Sequence, residues 1–262
     1  MQQNVTLLQP HFVERIWGST DLSPLFPATE QIIGEVWFHD ETHPLLVKFL
    51  FTTAKLSVQV HPGDAYAAKH EQSRGKTEMW HVLAAKPGAQ IALGLRQTVT
   101  AAHLREAALS GEIEELLHWI DVHPGETYFV PAGTIHAVGA GLTLCEIQQN
   151  SDLTYRLYDY GRPRELHLDK GIEVSDLAAQ TSTSRLFPVS CHHFTVREVH
   201  LAGAHEVEPS PRELWIMLEG SGTIGGMEFK PGEVYRANGP FAISGKARIL
   251  RAHEPQPLAA NS

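Results

Sequence analysis

Short apolar segments separated by turn residues run along most of the chain. The clearest segments are rich in β-branched and aromatic residues, as strands are. They cover residues 45–51, 55–60, 79–84, 127–130 and 214–218. Proline–glycine turn signals occur at residues 62–63, 87–88, 124–125 and 231–232. Many short strands at this spacing predict a mainly β fold, either an antiparallel sandwich or a jelly-roll barrel.

One stretch, residues 98–122, has the periodicity of a helix instead. Apolar residues recur along it at every third or fourth position. Thr98 or Thr100 is suited to cap the start, and Ser110-Gly111 is expected to divide the stretch into two helices. We therefore predict a helical insertion at about residues 98–122.

Two pairs of short motifs suggest that the chain contains an internal repeat. Glu78-Met79-Trp80 resembles Glu213-Leu214-Trp215, and residues 124–128 (PGETY) resemble residues 231–235 (PGEVY). The sequence distance between the Glu-x-Trp motif and the Pro-Gly-Glu motif is longer in the first copy than in the second. The difference is about the length of the predicted insertion. We therefore predict two related jelly-roll barrels, residues 1–170 with the insertion and residues 171–262.

Composition and charge narrow the class of protein. A chain of 262 residues with 42% hydrophobic residues can form one large domain or two modest ones. A net charge of −9 argues against binding to nucleic-acid backbones. No apolar run approaches the roughly 18–20 residues of a membrane span, and no signal peptide is visible. Because Cys145 and Cys191 cannot form a disulfide framework, we expect a cytoplasmic protein.

Histidine is abundant, with 16 residues, and three elements predict one cation site. Gln59 and His61 lie two apart on a predicted strand and so share a face. Glu78 begins a later strand. His136 follows a turn shaped by residues 125–133. Two nitrogen donors, an amide oxygen and a carboxylate suit Zn²⁺ or a similar divalent ion.

Other residues are candidates for chemistry near that site. Asp152 and Arg156 share a face if residues 152–160 form a strand. Asp152 would orient Arg156 or transfer a proton. Glu146 is a second candidate base, since burial would raise its pKa, or else a structural carboxylate. Lys76 lies two residues before Glu78 and so has the same strand parity, and we expect it to face the same cavity. There it could hold substrate oxygens, act in proton transfer or bind phosphate.

These motifs resemble those of a known enzyme family. The spacing from Gly125 to His136 is similar to the second motif of the cupin superfamily. Gln59-x-His61 with Glu78 resembles the first motif, with glutamine in place of the usual histidine. With glutamine at this position, the motif resembles that of type I mannose-6-phosphate isomerases of the short bacterial form. The resemblance also runs through residues 15–18, 34–37, 58–62, 75–80, 151–156 and 158–162.

The resemblance implies two cupin-type jelly-roll β-barrels and one Zn²⁺ per chain. It also implies an isomerase that interconverts mannose 6-phosphate and fructose 6-phosphate through a cis-enediol. The family's metal ligands fall on Gln59, His61, Glu78 and His136. Its active-site arginine, lysine and serine fall on Arg156, Lys76 and Ser57. The second barrel has residues 238–240 (NGP) where the first has its motif histidine, so we expect it to bind no metal.

Three alternatives remain open from the sequence. The chain could isomerise another sugar phosphate, or it could bind a sugar phosphate without turning it over. A cupin oxygenase with redox iron would normally have three histidines, and Gln59 argues against it. In the favoured interpretation the partner is a small sugar phosphate. We expect the protein to bind neither nucleic acid nor membrane and to be a monomer or a homodimer.

Overall fold

The computed structural model describes residues 4–181 and 183–255. The helices of this part are α1 (Asp64–Glu71), α2 (Ala101–Ser110), α3 (Ile113–Leu116) and α4 (Leu168–Val174). Its strands are β1 (Val5–Leu7), β2 (His11–Ser19), β3 (Ile33–Phe38), β4 (Leu45–Phe51), β5 (Val58–Val60), β6 (Glu78–Ala85), β7 (Gln90–Leu95), β8 (Leu117–Asp121), β9 (Thr127–Val130), β10 (His136–Val138), β11 (Leu142–Gln149), β12 (Tyr155–Tyr158), β13 (Val189–Ser190), β14 (Thr195–Val207), β15 (Glu213–Ile224), β16 (Met227–Phe229), β17 (Val234–Ala237) and β18 (Phe241–His253). The predicted mainly β fold is confirmed.

The strands form three antiparallel sheets. The six-stranded sheet has the order β2-β3-β4-β11-β6-β9, and the five-stranded sheet has the order β12-β5-β10-β7-β8. The seven-stranded sheet has the order β1-β17-β15-β18-β14-β13, with β16 paired to β15. The six-stranded sheet is the middle layer, because apolar residues on its two faces belong to two different clusters.

Strand β4 shows how the sequence produces this middle layer. Phe49 belongs to the same core cluster as Ile216 of the seven-stranded sheet, whereas Leu50 belongs to the cluster that contains Ile91 of the five-stranded sheet. Alternate side chains of a strand point to opposite faces, so a strand covered on both sides must be apolar at nearly every position. The sequence LLVKFLF meets that requirement except at Lys48.

The helices cover the outer face of the five-stranded sheet. Thr100 caps α2 by accepting a 3.1 Å hydrogen bond from the amide of His103, and Gly111 ends α2 at a φ of +90°. The helical pattern was expected to continue to residue 122, but the structure differs. Helix α3 ends at Leu116, and the next residues form β8 because their backbone pairs with β7.

The predicted repeat has the same local geometry in both copies. Tyr128 donates its hydroxyl to Glu126 over 2.9 Å, and Tyr235 donates to Glu233 over 2.8 Å. In each copy the same glutamate oxygen accepts the amide three residues earlier, and the preceding glycine has a positive φ. Matching hydrogen bonds support the interpretation that these segments are related.

The division into residues 1–170 and 171–262 stays a prediction. The N-terminal strand β1 lies in the seven-stranded sheet, where it pairs with β17. Strand β1, from the beginning of the described part, therefore joins the sheet that β13–β18 form. In the described residues, no helix combines the length and the hydropathy needed to cross a membrane.

Packing between the six- and seven-stranded sheets can be tested with two matched isoleucines. Ile216 is fully buried between these sheets, whereas Ile16 on β2 is 65% exposed. Ile216→Ala should lower the free energy of unfolding by about 2–5 kcal/mol, because it removes buried methylenes and leaves a cavity. Ile16→Ala should change it by less than about 0.5 kcal/mol. Urea unfolding measures both, and equal losses would contradict this packing.

Candidate active site

The four predicted donors converge between the five- and six-stranded sheets. Gln59 on β5 is paired in register with His136 on β10, while Glu78 faces them from β6. Nε2 of His61 lies 3.6 Å from Oε2 of Glu78, and Nε2 of His136 lies 3.5 Å from Oε1. One donor atom each from His61, Glu78 and His136 lie within 4.8 Å of one another, and all three residues are buried.

Backbone hydrogen bonds orient both histidines towards this cluster. Nδ1 of His61 lies 2.9 Å from the carbonyl oxygen of Leu153, and Nδ1 of His136 lies 2.9 Å from that of Thr134. A carbonyl accepts, so each Nδ1 carries the proton and each Nε2 offers a lone pair, which faces the Lys76 ammonium at His61 and the Gln59 amide nitrogen at His136. Burial lowers the pKa of His136 to about 4 and holds the pKa of His61 well below its usual range. Neutral imidazoles with a fixed tautomer are suited to ligate a metal.

The remaining donors also fit a divalent cation. Oε1 of Glu78 is buried and has no hydrogen-bond partner in the described part of the chain. Nε2 of Gln59 lies 3.2 Å from Nε2 of His136, so the amide must turn over for its oxygen to face a cation. Two nitrogens and a carboxylate, with an amide oxygen available, could hold a borderline ion such as zinc.

Two lysines and a second glutamate border the four donors. Nζ of Lys76 lies 2.7 Å from Oε2 of Glu78, 3.0 Å from Nε2 of His61 and 3.6 Å from Oε1 of Glu146. Nζ of Lys48 lies 3.7 Å from the same Glu146 oxygen. The two ammonium groups and two carboxylates balance in formal charge.

The pKa values in this group follow from burial and from the neighbouring charges. Burial and Glu146 raise the pKa of Glu78 to about 7. Burial would also raise the pKa of Glu146, as the sequence led us to expect, but this expectation is wrong. Lys76, Lys48 and a hydrogen bond from Trp80 outweigh burial and lower that pKa. Glu146 therefore accepts a hydrogen bond from Trp80 and forms ion pairs with both lysine ammonium groups.

Sequence reasoning missed Lys48. The side chain is 2% exposed, and its Nζ lies 4.2 Å from the centre of the Trp37 ring and 3.4 Å from Oδ1 of Asp152. The available signal was a single lysine inside the otherwise apolar strand LLVKFLF. A charge at such a position is buried only when it has a partner, and so it indicates a polar site.

The other predicted residues lie around the donors. Ser57 is buried and donates its hydroxyl to Oε1 of Gln59 over 3.3 Å. Arg156 pairs in register with Gln59, and its Nη1 donates to the carbonyl of Glu165 over 2.7 Å. The expected strand 152–160 is shorter, Tyr155–Tyr158, so Asp152 lies in the preceding loop with its side chain 60% exposed. The same loop contains Leu153, whose carbonyl oxygen accepts the hydrogen bond from Nδ1 of His61.

Comparison with known proteins identifies the family. A relative from Bacillus subtilis named mannose-6-phosphate isomerase ManA is 33% identical over 309 aligned positions, which cover 94% of this chain and 97% of the relative. This chain belongs to the mannose-6-phosphate isomerase family. A relative from Streptococcus mutans named mannose-6-phosphate isomerase is 34% identical, and the alignment covers 80% of this chain and 71% of the relative.

Solved structures show the same relationship. The crystal structure of the mannose 6-phosphate isomerase from Bacillus subtilis superimposes with a TM-score of 0.83 and 27% identity, covering 94% of this chain and 98% of the other. A putative mannosephosphate isomerase from Archaeoglobus fulgidus, 18% identical with a TM-score of 0.77, shares the fold. No protein-family model matches the chain.

Metal titration tests the site directly. We expect the apoprotein to bind one divalent transition-metal ion per chain, with Zn²⁺ and Co²⁺ as probes. His136→Ala should weaken this binding by about 100-fold or more, because it removes a buried donor. His11→Ala is the matched control, since His11 is exposed and should not alter binding. Calorimetry measures both variants, and unchanged affinity in His136→Ala would contradict the site.

Proposed function

We propose that the protein is a zinc-dependent isomerase that interconverts mannose 6-phosphate and fructose 6-phosphate through a cis-enediol. The observation that carries this proposal is the buried cluster of His61, Glu78 and His136 next to Lys76, in a member of this isomerase family. A bound zinc ion would supply Lewis-acid polarisation of the sugar oxygens.

The chain's own residues account for binding and charge stabilisation. Isomerisation moves a proton between C2 and C1 and leaves negative charge on the substrate oxygens. Arg156 would stabilise that charge, because a guanidinium is permanently charged and donates in a planar fork. Lys76 would hold a substrate oxygen from its place beside Glu78, and Ser57 would donate a hydrogen bond to the substrate.

Two carboxylates are candidates for the proton-transferring base. Glu146 lies in the interior, where Lys76, Lys48 and Trp80 contact its oxygens and keep it ionised. Asp152 is more exposed and has one oxygen 3.4 Å from Nζ of Lys48. The first has a fixed geometry, and the second has more freedom to reach a bound sugar.

The proposal also covers the cellular compartment of the protein and the kind of molecule that it binds. Both cysteines are free thiols, which supports a reducing cytoplasm. The net charge of −9 supports a small-molecule partner in preference to nucleic acid. We propose a monomer or a homodimer that acts on a sugar phosphate in solution.

Metal removal and restoration test the reaction. The purified protein should convert mannose 6-phosphate to fructose 6-phosphate, lose about 99% or more of this activity after chelation, and regain it with Zn²⁺. A coupled assay for fructose 6-phosphate measures each state. Full turnover after complete metal removal would contradict the zinc dependence. No turnover with zinc bound would contradict the substrate, and other sugar phosphates would then be assayed.

Two isosteric variants identify the base. Removing a general base lowers kcat by about 10²–10⁴-fold, so either Glu146→Gln or Asp152→Asn should show this loss. The same variant should stop exchange of the C2 hydrogen with deuterated solvent, which NMR of the sugar measures. Circular dichroism serves as the control for folding. Exchange at the wild-type rate in both variants would exclude both carboxylates.

A further inference from the structure

Lys76 carries its ammonium group on a flexible side chain, so its placement depends on the backbone that holds it. The residues on either side of it, Gly75 and Thr77, both use their amides to bind side chains from elsewhere in the fold. The amide of Gly75 donates to Oδ1 of Asp64 over 2.7 Å. The amide of Thr77 donates to Oε1 of Gln149 over 2.9 Å.

The two accepting side chains also bind each other. Nε2 of Gln149 donates to the same Oδ1 of Asp64 over 2.9 Å. Asp64 is the first residue of α1, and Gln149 is the last residue of β11. Three hydrogen bonds thus connect the loop, the helix and the sheet around Lys76.

The backbone around this lysine is closely packed. The amide of Lys76 donates to the carbonyl of Pro62 over 3.0 Å. A Cβ atom at Gly75 would lie 2.5 Å from the backbone nitrogen of Asp64, so only glycine allows this approach. The hydrogen bonds of Asp64 and Gln149 therefore act on a segment with little room to move.

We propose that Asp64 and Gln149 are positioning residues, which fix the backbone of residues 75–77 so that the Lys76 ammonium lies between Glu78 and His61. The proposal rests on the proposed function, because the role of Lys76 in the reaction does. Asp64 and Gln149 act through Lys76 and do not contact the substrate. Misplacing a group in an active site by about 1 Å costs up to about 100-fold in rate.

Kinetics of single and double variants test this inference. Asp64→Ala and Gln149→Leu should each lower kcat by about tenfold with mannose 6-phosphate as substrate, while KM changes less. Asp64→Asn keeps an oxygen that accepts both hydrogen bonds, so it should remain within about twofold of the wild type. In a Lys76→Met background, Asp64→Ala should cause no further loss, since the group it positions is absent.

Tyr66→Phe is the matched control. Tyr66 lies on the same helix α1 and donates to Glu173 over 2.7 Å, away from residues 75–77. It should retain wild-type kinetics. The proposal is overturned if Asp64→Asn is as slow as Asp64→Ala, or if Asp64→Ala slows the Lys76→Met enzyme by the same factor as the wild type.

Amide hydrogen exchange separates this inference from the proposed function. Asp64→Ala should speed exchange of the Gly75 amide by about tenfold, whereas Asp64→Asn and Tyr66→Phe should not. NMR measures this with no substrate. If the wild type fails to isomerise mannose 6-phosphate, the proposed function fails while the exchange result still decides the positioning. Unchanged exchange in Asp64→Ala overturns the inference whatever the activity.

Discussion

The site depends on the pairing of charges between the five- and six-stranded sheets. Lys48, Lys76, Glu78 and Glu146 are each at most 4% exposed. A buried ion costs several kcal/mol unless a partner offsets that cost. Here each ammonium nitrogen lies within 3.7 Å of a carboxylate oxygen, and the formal charges cancel. Removal of one of the four charges would therefore leave an uncompensated charge between the two sheets.

The charge balance of these four residues also affects how the site would bind a sugar phosphate. A divalent cation bound by His61, Glu78 and His136 would add two positive charges to a neutral set. A phosphate monoester carries about −1.5 to −2 at pH 7, so the loaded site would match the charge of a sugar phosphate. The chain as a whole is acidic, at −9, and this cationic interior would be where such an anion is favoured.

Local patterns predicted much of this fold, and long-range contacts account for the rest. The strands at 45–51 and 127–130 match β4 and β9, because apolar, β-branched and aromatic runs and the turn residues between them are local signals. The helical pattern failed after Leu116, where pairing with β7 outweighs periodicity. The donor spacing predicted the cluster around Glu78, whereas the lowered pKa of Glu146 depends on two lysines that only the tertiary structure brings to it.

Anomalous diffraction at the zinc absorption edge tests the central claim most directly. Crystals of the zinc-loaded protein should show one strong peak about 2.0–2.2 Å from Nε2 of His61, Nε2 of His136 and a carboxylate oxygen of Glu78. The Gln59 amide should be turned so that its oxygen faces the ion. A crystal with no peak at this cluster, or with its only peak at other residues, would contradict the account.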